Sequence, residues 1–452
     1  MTLDLGRIPS LAHCAERIAR MGSFLLLATC FLRLSSLPHL MSDPDVLVVG
    51  GGPGGSAAAH WLARAGHEVM LVEKKESPRE KTCGDGLTPR SIRQLIDMGF
   101  DFGVSEFHRV GGLRAYSSEL MIELPWPDHP TLPAWGGVIR RADLDMQVAR
   151  LAEKQGVVVR EHTSARPLVE SGRIAGVELT SDDEIEVITP RYVVVADGSL
   201  SRFGRALGAS RDKRRPYGLA ARAYFTSPRS DDGFMESQLD LHDHSGATVP
   251  GYGWVFPMGD GTINIGVGVL STFHRWKDVN TTTLMAAMVE TTPEHWQLTG
   301  ESQVAPARGG KLPMALSVGP NVGSNWVVVG DAAGAINPFN GEGIAYAYET
   351  GRIAATHVGA ALEKGDRSLL WGYKDEIDDT YDLYFRVSRA FVRLIGQPGA
   401  MRVLTRTGLR SRTLMEWVLR VMANILRPDE LHLAETAYRM VEKIVMVGPD
   451  PW

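Results

Sequence analysis

The residues best placed to do chemistry begin with three glycines. Gly50, Gly52 and Gly55 lie in the run Gly50-Gly51-Gly52-Pro53-Gly54-Gly55, directly after the apolar stretch Asp45 to Val49. An Ala-rich amphipathic segment, Ser56 to Ala65, follows, and then a second apolar run, Glu68 to Val72, ending at Glu73. Strand, glycine turn, helix, strand and acid occur in the order of a dinucleotide-binding β-α-β unit. Gly50 permits the tight turn. Gly52 lets the backbone approach a pyrophosphate at a helix N-terminus, where the dipole and free N–H groups favour an anion. Gly55 lets helix and sheet pack closely, and the Glu73 carboxylate is placed to accept from ribose hydroxyls.

Two further groups make the nucleotide more specific. Gly330-Asp331-Ala332-Ala333 follows another apolar strand, where a backbone N–H and a carboxylate can hold the sugar-alcohol chain that links a flavin to its phosphates. Asn337-Pro338-Phe339-Asn340-Gly341-Glu342-Gly343 then opens a helix, and a helix N-terminus aimed at a flavin pyrimidine stabilises the negative charge that collects there on reduction. With the glycine turn far upstream, this pair implies FAD over NAD as the resident cofactor. Asp197-Gly198-Ser199-Leu200-Ser201, with Arg205 following, is a third element.

Together these stretches resemble the FAD-dependent group typified by aromatic hydroxylases. Within it, Lys81-Thr82-Cys83-Gly84-Asp85-Gly86 and Pro250-Gly251-Tyr252-Gly253-Trp254-Val255-Phe256-Pro257 resemble the geranylgeranyl reductase family, and most of all its quinone-tail-reducing branch. The likeness runs from Asp45 to about Arg427. It implies that Gly50, Gly52, Gly55, Glu73, Cys83, Gly84, Arg141, Asp197, Gly198, Gly330, Asp331, Pro338, Gly341 and Gly343 contact FAD. It implies that Tyr252, Trp254 and Phe256 line an isoprenoid cavity, and that a C=C of a prenyl lipid, menaquinone-like, is reduced. A geranylgeranyl lipid as substrate, or oxygen-dependent hydroxylation on the same scaffold, are the alternatives. The comparable strand of flavin halogenases is WxWxIP; Tyr252 and Phe256 depart from it. No second dinucleotide fingerprint is present, so the electron donor is either NAD(P)H or a small redox protein.

The aromatic strand also has a reading of its own. Alternation puts Tyr252, Trp254 and Phe256 on one face and leaves Gly251, Gly253 and Val255 on the other, nearly bare. Gly266 and Gly268 on the next strand open room beside the rings. An unactivated alkene is a poor hydride acceptor, so a proton must accompany the hydride, and facing aromatic rings stabilise cationic character through their π faces. Cys83 and Tyr252 are the candidate proton donors, with Trp254 completing the catalytic set. His242 and His244 lack a third ligand and read as a polar loop, so no metal is expected.

An isoprene unit gains about 4 kcal/mol on leaving water. Drawn from a membrane, it gives up nearly as much as it gains, so the enzyme must sit on the bilayer. Residues Arg386 to Arg427 contain nine Arg, one acid (Glu416) and no Lys. Arg386, Arg389, Arg393, Arg402, Arg406, Arg410, Arg412 and Arg420 alternate there with apolar residues. This basic amphipathic segment suits anionic headgroups at about 1 kcal/mol per charge, or else forms a solvated face of packed helices. A net charge of −5 over 452 residues gives no basis for nucleic-acid binding. Only Cys14, Cys30 and Cys83 are present, which implies no disulfide framework and a reducing compartment. The expected location is therefore the cytoplasmic side of the cell membrane, held peripherally.

The elements that must position these residues follow from periodicity. Residues 1–40 carry a short apolar run, Phe24 to Leu32, after Arg17 and Arg20; Met41 is a natural start, so the run reads as an upstream extension. Segments 41–104, 141–215 and 310–365 read as a Rossmann-type FAD-binding domain. They interleave with an antiparallel-sheet substrate domain, 105–140 and 216–309, and residues 366–452 form a C-terminal helical region. The fold class is mixed α/β.

Overall fold

The computed structural model describes residues 43–117, 120–182, 184–427 and 433–447, without the side chains of Arg406, Leu433, Ala434 and Ala437. The N-terminal extension, with Cys14 and Cys30, lies outside the described residues, as does the Arg406 side chain.

Apolar runs without alternation demand cover on both faces, and the structure supplies it. A five-stranded parallel sheet has the order Trp326–Val328, Tyr192–Val195, Val46–Val49, Val69–Val72, Val158–Arg160. On one face lie the helices Pro53–Arg64, Ile344–Lys364 and Trp371–Ile395, closing a core around Leu62, Val194, Tyr346 and Phe385. On the other, the antiparallel strands Thr163–Glu170, Arg173–Ser181 and Glu184–Ile188 contribute Ile174, Val177 and Leu179. The chain leaves Val46–Val49 toward one side of the sheet and Tyr192–Val195 toward the other. The crevice at their carboxyl ends is a topological switch point, the place where open α/β sheets bind ligands.

The second sheet has seven strands, in the order Arg308–Pro313, Tyr217–Thr226, Thr262–Leu270, Gly251–Pro257, Phe234–Gln238, Gly112–Ser117, Leu120–Pro125. It is antiparallel except where Phe234–Gln238 runs parallel to Gly112–Ser117. The face expected to be nearly bare is in fact a packed core. Helix Thr281–Thr291 lies on it, Val255, Ile263, Ile265 and Val267 meet Leu284, Met285 and Met288, and the missing side chain of Gly253 admits the Met288 sulfur. Registers Trp254↔Gly266 and Arg222↔Gly266 put Trp254, Gly266 and Arg222 abreast on the opposite face.

A small sheet joins the two parts. Gly86–Leu87 pairs with Gly136–Val138, which pairs with His108–Val110, fixing the end of the Lys81–Gly86 loop. After Trp371–Ile395 come the helices Pro398–Gly408, Arg412–Met422 and Leu433–Val447. The arginine stripe is not one surface. Arg389 is fully buried, Arg386 donates to the Val445 carbonyl at 3.2 Å, and Arg420 faces Glu435 at 3.6 Å. Among the described residues no helix is long and apolar enough to cross a membrane.

Candidate FAD and substrate site

The glycine turn is built as its spacing requires. Gly50 has φ +109°, and a Cβ there would stand 2.5 Å from the Ala196 carbonyl oxygen. A Cβ on Gly55 would stand 1.9 Å from the Gly50 oxygen, so helix and turn touch backbone to backbone. Helix Pro53–Arg64 starts at Gly52 with no capping side chain and no acid in its first turn, which leaves its N–H groups and positive dipole end to an anion. Glu73 Oε2 accepts from Gly51 N at 3.0 Å. Arg79, not singled out from the sequence, bridges Glu73 Oε2 and Asp145 Oδ2, both at 3.2 Å, and its terminal nitrogen is the atom that a Gly52 Cβ would approach, at 3.5 Å. That places a guanidinium above the turn where a pyrophosphate needs one.

The Asp331 carboxylate lies against the start of helix Ile344–Lys364, since a Cβ on Gly343 would be 3.2 Å from its Oδ1. Lys81 Nζ is 3.6 Å from Asp331 Oδ2 and 3.8 Å from where a Gly198 Cβ would stand, so this lysine links the Cys83 loop to two cofactor motifs. Asp197 Oδ2 accepts from Phe203 N at 3.0 Å, while its Oδ1 is buried and has no hydrogen-bond partner among the described residues. Helix Ile344–Lys364 also begins without a capping side chain or a first-turn acid. An unsatisfied carboxylate oxygen, two uncapped helix starts and a basic clamp fit FAD.

Asn337, Pro338 and Asn340 form the turn ahead of that helix. Asn337 Nδ2 donates to the Met422 carbonyl at 2.9 Å and to Tyr384 Oη at 3.0 Å, tying the turn to the C-terminal helices. Next to it, Glu342 Oε1 accepts from the hydroxyls of Thr88 and Ser91, and its Oε2 is buried without a hydrogen-bond partner among the described residues. Burial pushes this carboxyl up to about 7 against those hydrogen bonds and the Arg90 charge.

Of the other cofactor candidates, Arg141 has its guanidinium bound bidentately to Asp145 at 2.8 and 2.9 Å, and its backbone N donates to Asp85 Oδ1 at 3.2 Å. Cys83 is held near it, and burial raises the thiol against the pull of Arg141. The Tyr252 hydroxyl donates to the Asn340 carbonyl, and burial raises its pKa as well. Both candidate proton donors are thus weak acids as placed, and the Tyr252 proton is already engaged.

The structure brings the Cys83 loop and the aromatic strand into direct contact. A Cβ on Gly84 would lie 3.3 Å from Phe256 and from Trp254 Nε1, and one on Gly86 would lie 2.8 Å from Phe256. The two rings pack on loop backbone, where the sequence suggested open cavity. The room expected at Gly266 is taken by the Trp254 ring, 2.1 Å from a Cβ there, whereas a Cβ on Gly268 would meet the Tyr252 ring only at 3.9 Å. Cavities of about 340 and 230 Å³ are lined by other residues, around Arg191 and Gly365 and around Arg215 and Phe385. Beside the wall, on the same sheet face, Asp85 (φ +65°) accepts from Tyr224 Oη at 2.6 Å and Asn264 Nδ2 at 2.8 Å. Arg222, 1% exposed, donates to Glu80 at 2.7 Å and lies 4.3 Å from the Tyr224 ring centroid. The signal for Asn264 was its being the one amide between glycines and branched apolar residues; Asp85 stood in the quoted Lys81–Gly86 stretch without a role of its own, and Arg79 carried none.

The profile of the FAD binding domain family matches residues 43–382. A menaquinone reductase of Mycobacterium tuberculosis is 39% identical over 397 residues, 85% of this chain and 92% of that protein. The chain belongs to the FAD-binding geranylgeranyl reductase family. A digeranylgeranylglycerophospholipid reductase of Methanosphaera stadtmanae shares 31% identity over 73% of this family member and 81% of its own length. The crystal structure of a geranylgeranyl bacteriochlorophyll reductase-like protein from Thermoplasma acidophilum superposes with a TM-score of 0.72 at 23% identity, covering 88% of this chain and 99% of that one. A flavin-dependent brominase shares the fold, with a TM-score of 0.69 at 17% identity over 90% of this chain and all of its own. This geranylgeranyl reductase family member is therefore a flavoprotein oxidoreductase of mixed α/β fold.

Proposed function

We propose that the chain is an FAD-dependent reductase that saturates an isoprenoid C=C of a prenyl lipid, one isoprene unit of a menaquinone-like tail, while seated on a membrane surface. The observation that carries this reading is the contact of the Cys83–Gly86 backbone with Trp254 and Phe256, which sets an aromatic wall beside the residues that would hold the flavin. Reduced FAD, when bound, supplies the two electrons that the alkene takes up. Gly50 to Gly55 and Arg79 hold its pyrophosphate, Glu73 the ribose, and Asp331 with the start of helix Ile344–Lys364 the flavin end. Trp254 and Phe256 keep water from the alkene, and Tyr252 beside Gly268 flanks the open stretch of the wall. The aromatic π faces favour positive charge developing on the substituted carbon. Electrons come from NAD(P)H or a small redox protein.

Support for the membrane seat lies in the C-terminal helices. Exposed Arg393, Arg402, Arg410 and Arg412 stand among exposed Leu394, Val403, Leu404 and Leu414, and the last helix adds Met440, Val441, Ile444 and Met446. Mixed basic and apolar exposure suits an anionic lipid surface, on the cytoplasmic side of the cell membrane.

Anaerobic incubation of the FAD-loaded, dithionite-reduced protein with a prenyl quinone in vesicles tests the reading by mass spectrometry. After the quinone head is reoxidised in air, the expected product keeps two added hydrogens in a tail fragment. Unchanged quinone, or a product formed only with oxygen and carrying its label, overturns it in favour of a monooxygenase.

A further inference from the structure

Asn264 is fully buried at the seam between the seven-stranded sheet and the flavin-binding side, and every polar atom of its side chain is used. Its amide nitrogen donates to the Cys83 carbonyl at 2.9 Å and to Asp85 Oδ2 at 2.8 Å. Its amide oxygen accepts from Trp254 Nε1 at 2.9 Å. The amide has one orientation only: reversed, it would set an oxygen against two oxygens and an NH₂ against the indole N–H.

We propose that Asn264 is a positioning residue for the reduction, clamping the Trp254 wall onto the Cys83–Gly86 backbone. The proposal rests on the prenyl-reductase reading for the reaction it serves, not for the clamp itself. Two of the three groups it grips lie on the loop, about 180 residues away along the chain, and the third is the central ring of the wall. Asp85 backs the clamp: its second oxygen accepts from Arg141 N at 3.2 Å, and Tyr224 donates to the oxygen it shares with Asn264. Displacing a reacting group by about 1 Å costs up to roughly a hundredfold in rate. Releasing the clamp should therefore lower turnover and leave flavin content, which rests mainly on the glycine turn, Arg79 and Asp331, unchanged.

Asn264→Ala removes all three bonds. Asn264→Asp keeps the shape but turns an oxygen toward the Cys83 carbonyl and the Asp85 carboxylate. Two carboxyls that close cannot both ionise. At acid pH they share a proton and the link to Asp85 returns; at alkaline pH it is lost. The charged and titratable groups around the pair are Arg222 with its partner Glu80, Arg140, Arg141, Tyr224 and Cys83, and all are common to wild type and both variants.

The experiment measures FAD content, kcat for a prenyl quinone and near-ultraviolet circular dichroism across pH for FAD-loaded wild type, N264A and N264D. Expected are equal FAD content, an N264A kcat lower by about ten- to a hundredfold at every pH, and an N264D kcat that meets N264A at alkaline pH and recovers toward wild type on acidification. The N264D-minus-wild-type dichroism should shift over the same range. A flat dichroism difference, wild-type kcat in both variants, or FAD loss in both overturns the clamp. If wild type leaves the lipid unreduced, the functional reading fails, while the dichroism titration still decides the clamp. Should both Asn264 variants fail to fold, putting the benzothienyl analogue of Trp, with sulfur in place of the N–H, at position 254 keeps the ring and removes only the donor; a lower kcat at unchanged FAD content supports the clamp and an unchanged kcat overturns it.

Discussion

Glu342 gives this protein a stability that falls as pH rises, and replacing it by Gln should flatten the fall. Burial holds the folded-state pKa at about 7, against 4.5 for the free side chain, with the like charge of Glu349 adding to burial and Thr88, Ser91 and Arg90 opposing it. Below about pH 4.5 the carboxyl is protonated in folded and unfolded chains alike and costs nothing. Between 4.5 and about 7 the unfolded chain releases its proton while the folded one keeps it, so unfolding becomes easier with each step up in pH. At about 1.4 kcal/mol per pKa unit, the difference of about 2.5 units amounts to about 3 kcal/mol, complete by about pH 8. Gln cannot titrate. Its amide, facing the unpartnered site of Oε2, shifts stability by an amount that does not vary with pH. Urea unfolding of wild type and Glu342→Gln, at a fixed excess of FAD and from about pH 5 to 8, should show the variant gaining on wild type by up to about 3 kcal/mol across the range. A difference between the two proteins that stays constant with pH refutes the reasoning.

Trp254→Ala should lower lipid turnover by about tenfold or more while the purified protein keeps its flavin; loss of flavin would make the strand a structural element only. Arg79→Ala removes a charged donor above the glycine turn and should weaken FAD binding by about ten- to a hundredfold, read by fluorescence titration of the apoprotein, with unchanged affinity counting against the clamp. Replacing Arg393, Arg402, Arg410 and Arg412 by Gln should cut binding to anionic vesicles by about 4 kcal/mol at low salt, about a thousandfold. Co-sedimentation that matches wild type would remove the membrane seat.

What the sequence made legible was local. The glycine turn, the Gly330-Asp331 motif and the start of helix Ile344–Lys364 each place their polar groups through a few consecutive residues, so spacing alone carried them. The β-rich middle and the helical end were equally readable from period. What escaped was decided across long separations. The face of Gly253 read as bare because the helix that covers it begins some thirty residues later, and a glycine says nothing of whose side chain fills its place. Arg389 read as part of a basic surface because charge counts do not reveal which way a helix turns; the structure buries it completely. Arg79 and Asp85 sit in a loop without periodicity, and their roles exist only once Asp145, Tyr224 and Asn264 are brought to them.

An aromatic wall for a lipid tail faces a physical conflict that the buried polar network resolves. Trp supplies the largest apolar ring, but its N–H left without an acceptor in a dry site would cost about 1–3 kcal/mol and would favour water beside the alkene. Asn264 Oδ1 accepts from that N–H at 2.9 Å, on the side turned away from the open stretch at Tyr252 and Gly268, and so makes the indole behave as hydrocarbon toward the tail. The amide's own donors then need acceptors, which the Cys83 carbonyl and Asp85 provide. Asp85, buried and raised by that burial, is in turn steadied by Tyr224 and by the charge of Arg222, whose Nε and Nη1 have no partner among the described residues. Each polar group is present because the one before it must not be left unpaired, and the chain of obligation runs from the ring that would touch lipid to the loop that would touch flavin. On this argument the polar residues beside the wall are as necessary to an apolar site as the rings themselves.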